Sequence, residues 1–287
     1  MNPAVLVVAL VVAVGAGVGS AFAQSADQSA AGQGGLLFGR QAYAGLTGNH
    51  GTVTVGRQHD LDTIALTEAG DPFKGGMGRQ VDNSINVDSR QVRGVSAGAS
   101  WGADARSSTG SGNRALGVSV GFEHGPLTIR AAHQNRNVAP VAPAMPLGNR
   151  LDAKNSILAA NLRFGSATAY AAYSATRGLG STPLFNPDDP YSASMASTLS
   201  TDSRDVLVGL ALPCGPATLL ASYIRKNDRD LANRDANQFA VGASYSLTRR
   251  TDFYAAYSRI TNRNGADYAG PRGAGGSALN LGMRHGF

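Results

Sequence analysis

From residue 36 onward, apolar residues alternate with small or polar ones in segments of about ten residues. Leu116, Val118, Val120 and Phe122, for example, alternate with Gly117, Ser119, Gly121 and Glu123. The segments 239–247 and 279–287 follow the same pattern. Because successive side chains of a strand point to opposite faces, each segment predicts a β-strand with one apolar face. No stretch shows a comparably sustained helical period.

Short and long connections separate these segments in alternation. Short turns are predicted near residues 124–126, 165–166, 213–216 and 248–251, and long loops near 59–83, 103–113, 136–152, 177–203, 227–236 and 262–275. This alternation places the short turns at one end of a sheet and the long loops at the other. Outer-membrane barrels have this asymmetry, with the long loops outside the cell.

The composition of the second face distinguishes a membrane barrel from a soluble one. Charged residues make up 15% of the chain, below the roughly 25% of an ordinary soluble domain. There are 37 Gly among the 287 residues. We therefore expect a wall of small residues that lines water, with the apolar face toward lipid. Aromatic residues near strand ends are candidates for interfacial girdles: Tyr223, Tyr245, Phe253, Tyr254, Tyr257 and Phe287.

The start of the chain predicts export. Residues 1–23 carry no charged side chain, and the apolar run Val5–Val14 is followed by Ala21-Phe22-Ala23 and Gln24. This is the form of a secretory signal peptide. The predicted organisation is a signal peptide over 1–23, a polar segment over 24–35 and a barrel domain over 36–287. The alternative is an uncleaved apolar start, since residues 4–23 are barely long enough to span a bilayer.

Cysteine, histidine and charge patterns argue against several other kinds of protein. A single Cys, Cys214, excludes an intrachain disulfide framework and a multi-Cys metal site. The five His residues show no metal-ligand spacing. The basic residues are dispersed, so the net charge of +6 does not indicate nucleic-acid binding. We therefore expect no metal, no cofactor and no nucleic-acid partner.

Three segments carry a resemblance to a known family. They are FGRQAYAGLTGNHGTVTVGRQ (Phe38–Gln58), YSLTRRTDFYAAYS (Tyr245–Ser258) and the terminal LGMRHGF (Leu281–Phe287). They resemble the trimeric general porins of Gram-negative outer membranes, and the betaproteobacterial branch in particular. The resemblance covers residues from about 33 to 287 in order.

The resemblance implies an all-β fold, a transmembrane antiparallel β-barrel that has sixteen strands in the family. It also implies a homotrimer in the outer membrane that lets ions and small hydrophilic solutes diffuse passively, without catalysis. Expected partners are outer-membrane lipids, lipopolysaccharide and the barrel-assembly machinery. The family's terminal strand implies that Phe287 is the assembly signal this machinery reads.

The strand count departs from the family. Residues 36–287 predict thirteen strands, roughly three fewer than the family has. An open edge in lipid leaves costly unpaired backbone groups. We therefore expect either that the polar segment or the uncleaved apolar start adds a strand, giving about 13–14 strands, or that a parallel pair closes the barrel. In one interpretation, Met1 is not the native start of the protein. A truncated or non-conducting barrel with a structural or adhesive role is therefore the alternative hypothesis.

The resemblance also implies a constriction loop after Gln58. Its acidic candidates are Asp60, Asp62, Glu68 and Asp71, and the basic candidates on the pore wall are Arg40, Arg57, Arg90 and Arg130. Opposed carboxylates and guanidinium groups create a transverse field that favours dipolar solutes. The net charge of +6 predicts a mild anion preference. By strict alternation Arg57 shares a face with Val53 and Val55, unless a bulge reorients it.

An outer-membrane hydrolase is the enzyme alternative. His133 lies on the apolar-parity face of its segment, where a serine nucleophile and a histidine base would meet lipid. Such a pair needs a third group to orient it, and the motif G-x-S-x-G is absent. We therefore expect no enzyme.

Overall fold

The computed structural model describes most of the predicted strands and part of the loops. It describes residues 20–26, 41–74, 80–104, 113–137, 152–178, 184, 202–231, 233–264, 266 and 275–285. Arg40 and Phe287, which the sequence marks as a pore-wall residue and the assembly signal, lie outside these residues.

The described residues form one antiparallel sheet in which every strand pairs with its neighbours in sequence. The strands are β1 (Ser20–Ala26), β2 (Gln41–Gly48), β3 (Gly51–His59), β4 (Gln80–Ser89), β5 (Val95–Asp104), β6 (Asn113–His124), β7 (Leu127–Asn137), β8 (Asp152–Phe164), β9 (Ala167–Arg177), β10 (Asp202–Cys214), β11 (Ala217–Asp228), β12 (Ala236–Thr248), β13 (Thr251–Asn262) and β14 (Gly276–His285). Thirteen of them lie within residues 36–287, which confirms the predicted count.

The fourteenth strand comes from the start of the chain. β1 pairs with β2 and spans the predicted boundary between Ala23 and Gln24. The signal peptide and the domain boundaries stay predictions. Among the described residues, no strand pairing joins β14 back to β1.

The alternation of short and long connections is confirmed. Five of the short turns contain only two residues, and three of these five begin with a glycine of positive φ: Gly125 at +57°, Gly165 at +59° and Gly215 at +63°. A glycine at the first position is typical of the type II′ turn, whose twist matches that of the flanking strands. The long connections therefore share the opposite end of the sheet.

The two faces of the sheet differ as predicted. Large apolar side chains on one face are exposed, for example Val118 at 53% and Leu281 at 68%. Buried polar side chains such as Asn86 and Ser258 lie on the other face. We call the apolar face the outer face and the polar one the inner face.

Most of the predicted girdle aromatics lie on the outer face. Tyr223, Tyr245, Phe253 and Tyr257 are between 39% and 48% exposed. The prediction for Tyr254 is wrong, because it has the opposite parity in β13. Its ring lies beside Gly282, where a Cβ atom would overlap it.

In the residues that the structure describes, helical structure is confined to the connection between β3 and β4. It consists of α1 (Leu61–Ala65) and a π-helix (Leu66–Gly70). Each has five residues, which is too short to produce a helical period in the sequence. No helix in the described part of the chain is long and apolar enough to cross a membrane.

Candidate functional site

The connection after β3 lies against the inner face of the sheet. Helix α1 contacts β6, β7 and β8, and the π-helix contacts β7 to β10. Farther along, Pro72 lies beside Gly209 of β10 and Phe73 beside Gly242 of β12. We call residues 60–74 the constriction loop. It reaches from β3 past the middle of the sheet before the chain returns to β4.

Apolar packing holds the constriction loop in place. Leu61, Ala65, Leu66 and Ala69 of the loop belong to one buried cluster with five inner-face residues, Ala132, Ile157, Ala159, Ala172 and Leu207, which we call the docking wall. Gly70 approaches this wall closely, since a Cβ atom there would lie 3.0 Å from Ala172 Cβ and 3.1 Å from Ala159 Cβ. Full burial of one leucine contributes about 1.5–3 kcal/mol, so this contact fixes the loop firmly.

A buried hydrogen-bond chain adds a directional tether. Asn155 of β8 donates its side-chain NH₂ to Asp62 Oδ2 at 2.6 Å. The Asn155 carbonyl oxygen accepts from Ser174 Oγ at 2.7 Å and from Thr176 Oγ1 at 3.0 Å. All four side chains are at most 4% exposed. A hydrogen bond to a charged group contributes about 1.5–3 kcal/mol.

A cavity of about 410 Å³ lies between the constriction loop and strands β2 to β7. Five inner-face residues that line it, Thr54, Gln58, Asn86, Asp88 and Arg130, are called the polar wall. The wall is cross-linked by hydrogen bonds. Gln58 Nε2 donates to Ser84 Oγ at 3.2 Å, and Thr54 Oγ1 donates to Gln58 Oε1 at 2.5 Å.

One ion pair connects the constriction loop to the polar wall. Arg130 Nε donates to Glu68 Oε2 at 2.7 Å, and the same guanidinium binds Glu123. The Glu68 and Arg130 side chains are 49% and 18% exposed, so water reaches the pair and its contribution to stability is at most about 1 kcal/mol. Asp88 also lines the cavity. Because its contribution to stability is small, the Glu68–Arg130 pair matters more for the charges that it places in the passage than for holding the loop in position.

Inner-face glycines make room for the polar side chains. A Cβ atom at Gly98 would overlap the Asp88 carboxylate, and one at Gly121 would overlap the Arg130 guanidinium. At Gly117 it would overlap the Gln134 side chain. Glycine on this face therefore lets long polar groups lie flat against the strands.

The four predicted acidic residues of the loop have different roles. Glu68 faces the cavity. Asp60 is 1% exposed and caps α1, accepting from the Thr63 backbone N–H at 3.2 Å. Asp62 is the tether residue described above. Asp71 accepts from the Phe73 backbone N–H at 3.0 Å.

Of the predicted basic residues, Arg130 is the one that the described structure places at the cavity. Arg57 has the parity of the exposed residues Val53 and Val55, because the register shift beside it inserts the extra residue into β4 rather than β3. Arg90 is exposed in the turn after β4, where its N–H donates to the His50 carbonyl. The sequence alternation places Glu123 on the polar face, but it does not indicate that Asp88 and Glu123 belong to the site.

His133 lies on the outer face opposite Ser156 of β8. Its Nδ1 is 2.8 Å from Ser156 Oγ, so the two polar groups satisfy each other. Within the described residues no hydrogen bond orients the other ring nitrogen. In this part of the chain the pair therefore has no third member of the kind that a hydrolase requires.

Comparisons with known proteins agree with this architecture. The sequence model of Gram-negative porins matches residues 6–265. No curated protein sequence matches the chain. Among solved structures, an anion-selective porin from Comamonas acidovorans is 20% identical, with a TM-score of 0.68, over 87% of this chain and 78% of that one.

Two further structures match at lower identity. OmpF of Salmonella typhi in complex with daunomycin is 16% identical, with a TM-score of 0.65, over 85% of this chain and 77% of that one. The trimer form of Vibrio cholerae OmpT is 14% identical, with a TM-score of 0.56, over 86% of this chain and 80% of that one. At these identities the likeness shows the fold.

Proposed function

The chain belongs to the Gram-negative porin family, and we propose that the cavity between its constriction loop and its polar wall is the path that solutes take. The protein is an outer-membrane diffusion porin, a passive channel rather than an enzyme. One observation carries the proposed path. The loop packs on one half of the inner face and leaves a polar-lined cavity of about 410 Å³ along the other.

The polar wall acts on solutes through hydrogen bonds and a fixed field. Hydroxyl and amide groups of Thr54, Gln58 and Asn86 replace part of the water that a hydrophilic solute sheds. The Glu68–Arg130 pair, where the loop meets the wall, places a negative and a positive charge at one margin of the passage and gives it a local field. Such a field orients dipolar solutes, whereas an apolar solute gains nothing for the water it loses.

The charge around Arg130 bears on ion preference. Two carboxylates, on Glu68 and Glu123, bind this guanidinium, and a third, on Asp88, lines the same cavity. The net charge of +6 predicts a mild anion preference. The described groups that surround Arg130 do not support it, so this preference stays a prediction. We propose that Asp88 and Arg130 shift the preference in opposite directions. Arg40 remains a wall residue by resemblance alone.

Assembly follows from the same family membership. We infer a homotrimer, supported by the exposed apolar outer face and by the Vibrio cholerae OmpT structure described as a trimer form. Export by a signal peptide over 1–23 and recognition of Phe287 by the assembly machinery complete the proposal. Lipids and lipopolysaccharide of the outer membrane are the proposed surroundings of the outer face.

Planar-bilayer recording of the refolded protein tests the channel. We expect discrete conductance steps, grouped in threes if the trimer inserts as a unit. Folding is checked independently by the heat-dependent shift of barrel proteins on a gel. A folded protein that gives no steps would contradict the proposal and favour the non-conducting barrel, which the comparisons do not favour.

A further inference from the structure

The inner faces of β5 and β6 carry a regular pattern of serine and glycine. Three successive cross-strand pairs on this face each join one serine to one glycine: Ser96 with Gly121, Gly98 with Ser119, and Ser100 with Gly117. Because every second residue of a strand faces inward, the two residue types also alternate along each strand. We call these six residues the serine–glycine checkerboard, and its largest side chain is that of serine.

The glycines of the checkerboard lie beneath long polar side chains of the neighbouring strands. Asp88 of β4 is paired with Gly98, where a Cβ atom would lie 2.5 Å from Asp88 Oδ1 and 2.6 Å from Ser119 Oγ. Arg130 of β7 is paired with Gly121, where a Cβ atom would overlap the guanidinium Nη1. Glycine inside a strand often marks such a close approach by another group. One negative and one positive side chain therefore lie flat over the checkerboard, from opposite sides.

The checkerboard forms part of the cavity wall. The cavity lining includes its residues Ser96, Ser119 and Gly121 together with the two charged residues Asp88 and Arg130. A methyl group on either glycine would occupy the space in which the charged group now lies. The atoms that it would displace are the ends of side chains rather than backbone atoms. We therefore expect the strands to keep their positions and the charged group to turn toward the passage.

We propose that the serine–glycine checkerboard determines the width and the ion preference of the passage, because its glycines let a carboxylate and a guanidinium group lie against the wall. The force that a fixed charge exerts on a permeating ion increases as the distance between them falls. A charged group that turns toward the passage therefore both narrows it and biases its ion selectivity more strongly. The inference rests on the proposed function, because it concerns the path of solutes through the same cavity. It adds two specificity-determining residues, Gly98 and Gly121, that have no side chain of their own.

Reversal potentials across a KCl gradient test the proposal on two variants of the refolded protein. Gly98→Ala should turn Asp88 toward the passage and shift the anion-to-cation permeability ratio toward cations by about twofold. Gly121→Ala should turn Arg130 toward the passage and shift the ratio toward anions by about the same factor. Single-channel conductance should fall in both variants. Gly48→Ala is the matched control, because a Cβ atom there has no neighbour within 4 Å.

The same alanines in backgrounds without the charges show whether the charges carry the effect. We expect no shift from Gly98→Ala in the Asp88→Asn background, and none from Gly121→Ala in the Arg130→Gln background. Parent-like ratios in the single variants, or equal shifts with and without the charge, would overturn the proposal.

Folding of each variant is verified by the heat-dependent shift on a gel. The two glycines are tested separately, so one folded variant is enough to decide the outcome. A parent protein that conducts, with variants that match it, refutes the checkerboard and leaves the channel function intact. A folded parent that gives no conductance steps refutes the proposed function and the role of the checkerboard together.

Discussion

The docking wall and the polar wall occupy the same face of one sheet, yet one is dry and the other lines water. The docking wall is made of Ala, Ile and Leu side chains that the constriction loop covers, with Ala159 completely buried. The polar wall is made of hydroxyl, amide and charged groups around an open cavity. The sheet supplies the same backbone to both, so the side chains alone decide where the loop settles and where solutes pass.

The difference shows how a porin narrows without closing. A loop attached equally to both halves would fill the passage. Here apolar burial and the Asn155 tether hold the loop to one half, and the partly exposed Glu68–Arg130 ion pair reaches across to the other. The strong contacts and the open passage therefore lie mainly on different strands, and β7 contributes to both through Ala132 and Arg130.

The largest expected effect comes from placing a charge in the docking wall. Ala172→Asp buries a carboxylate against Gly70, at a cost of several kcal/mol when no partner is present. We expect the loop to leave the wall, and single-channel conductance and its noise to rise. The control Ser119→Asp adds the same charge to the cavity lining and should leave the loop docked. Parent-like conductance in the Ala172 variant would show that apolar packing does not position the loop.

A second change weakens the tether. Asn155→Asp sets a carboxylate against Asp62 and loses a hydrogen bond of about 1.5–3 kcal/mol. We expect noisier channels with frequent sub-states. The double variant Asp62→Asn/Asn155→Asp restores a donor and an acceptor with exchanged positions, while Ser174 and Thr176 still donate. Quiet channels in the double variant support a positioning role, and equal noise in both variants would contradict it.

A third, smaller effect comes from crowding the docking contact. Gly70→Ala places a methyl group 2.9 Å from Leu66 Cδ1, an overpacking that costs about 1–3 kcal/mol. Conductance should become less uniform from channel to channel. Gly48→Ala is the matched control because a Cβ atom there has no neighbour within 4 Å. Identical behaviour of the two variants would refute the close approach at Gly70.

The smallest effect concerns the polar wall. Asp88→Asn should shift the anion-to-cation permeability ratio toward anions by about two- to threefold, and Arg130→Gln toward cations by a similar factor. Both leave the docking wall intact, so conductance should change little. Reversal potentials across a KCl gradient measure the ratio, and the shifts should shrink at high salt. Shifts of the same sign in both variants would remove these residues from the passage.

The strands and the alternating connections could be predicted because a period of two is visible over ten residues, as in Leu116–Glu123. Glu68 and Arg130 could be named as candidates, since a family motif precedes the loop and both residues are charged. The sequence could not show which of the four acidic residues of the loop faces the cavity. Asp60 became a helix cap and Asp62 a tether, and these roles depend on two five-residue helices that leave no periodic signal.

The docking wall was equally hidden in the sequence. Ala132, Ala159 and Ala172 have the parity of the polar face, where small residues were read as the lining of water. An alanine under a loop and an alanine beside a pore look identical until the loop is placed. The sequence did not indicate the role of Asn155 either, because its hydrogen-bond partner Asp62 is far away along the chain.

The strictly sequential pairing of the strands has a consequence for the order of folding. Each strand from β2 to β14 meets its neighbour through a local hairpin or one loop, so the closure entropy of each step is small. The constriction loop is different, because it follows β3 but contacts β7 to β10 and reaches β12. Those strands must exist before the loop can dock. The passage is therefore widest during assembly. It becomes narrow late, when the constriction loop docks.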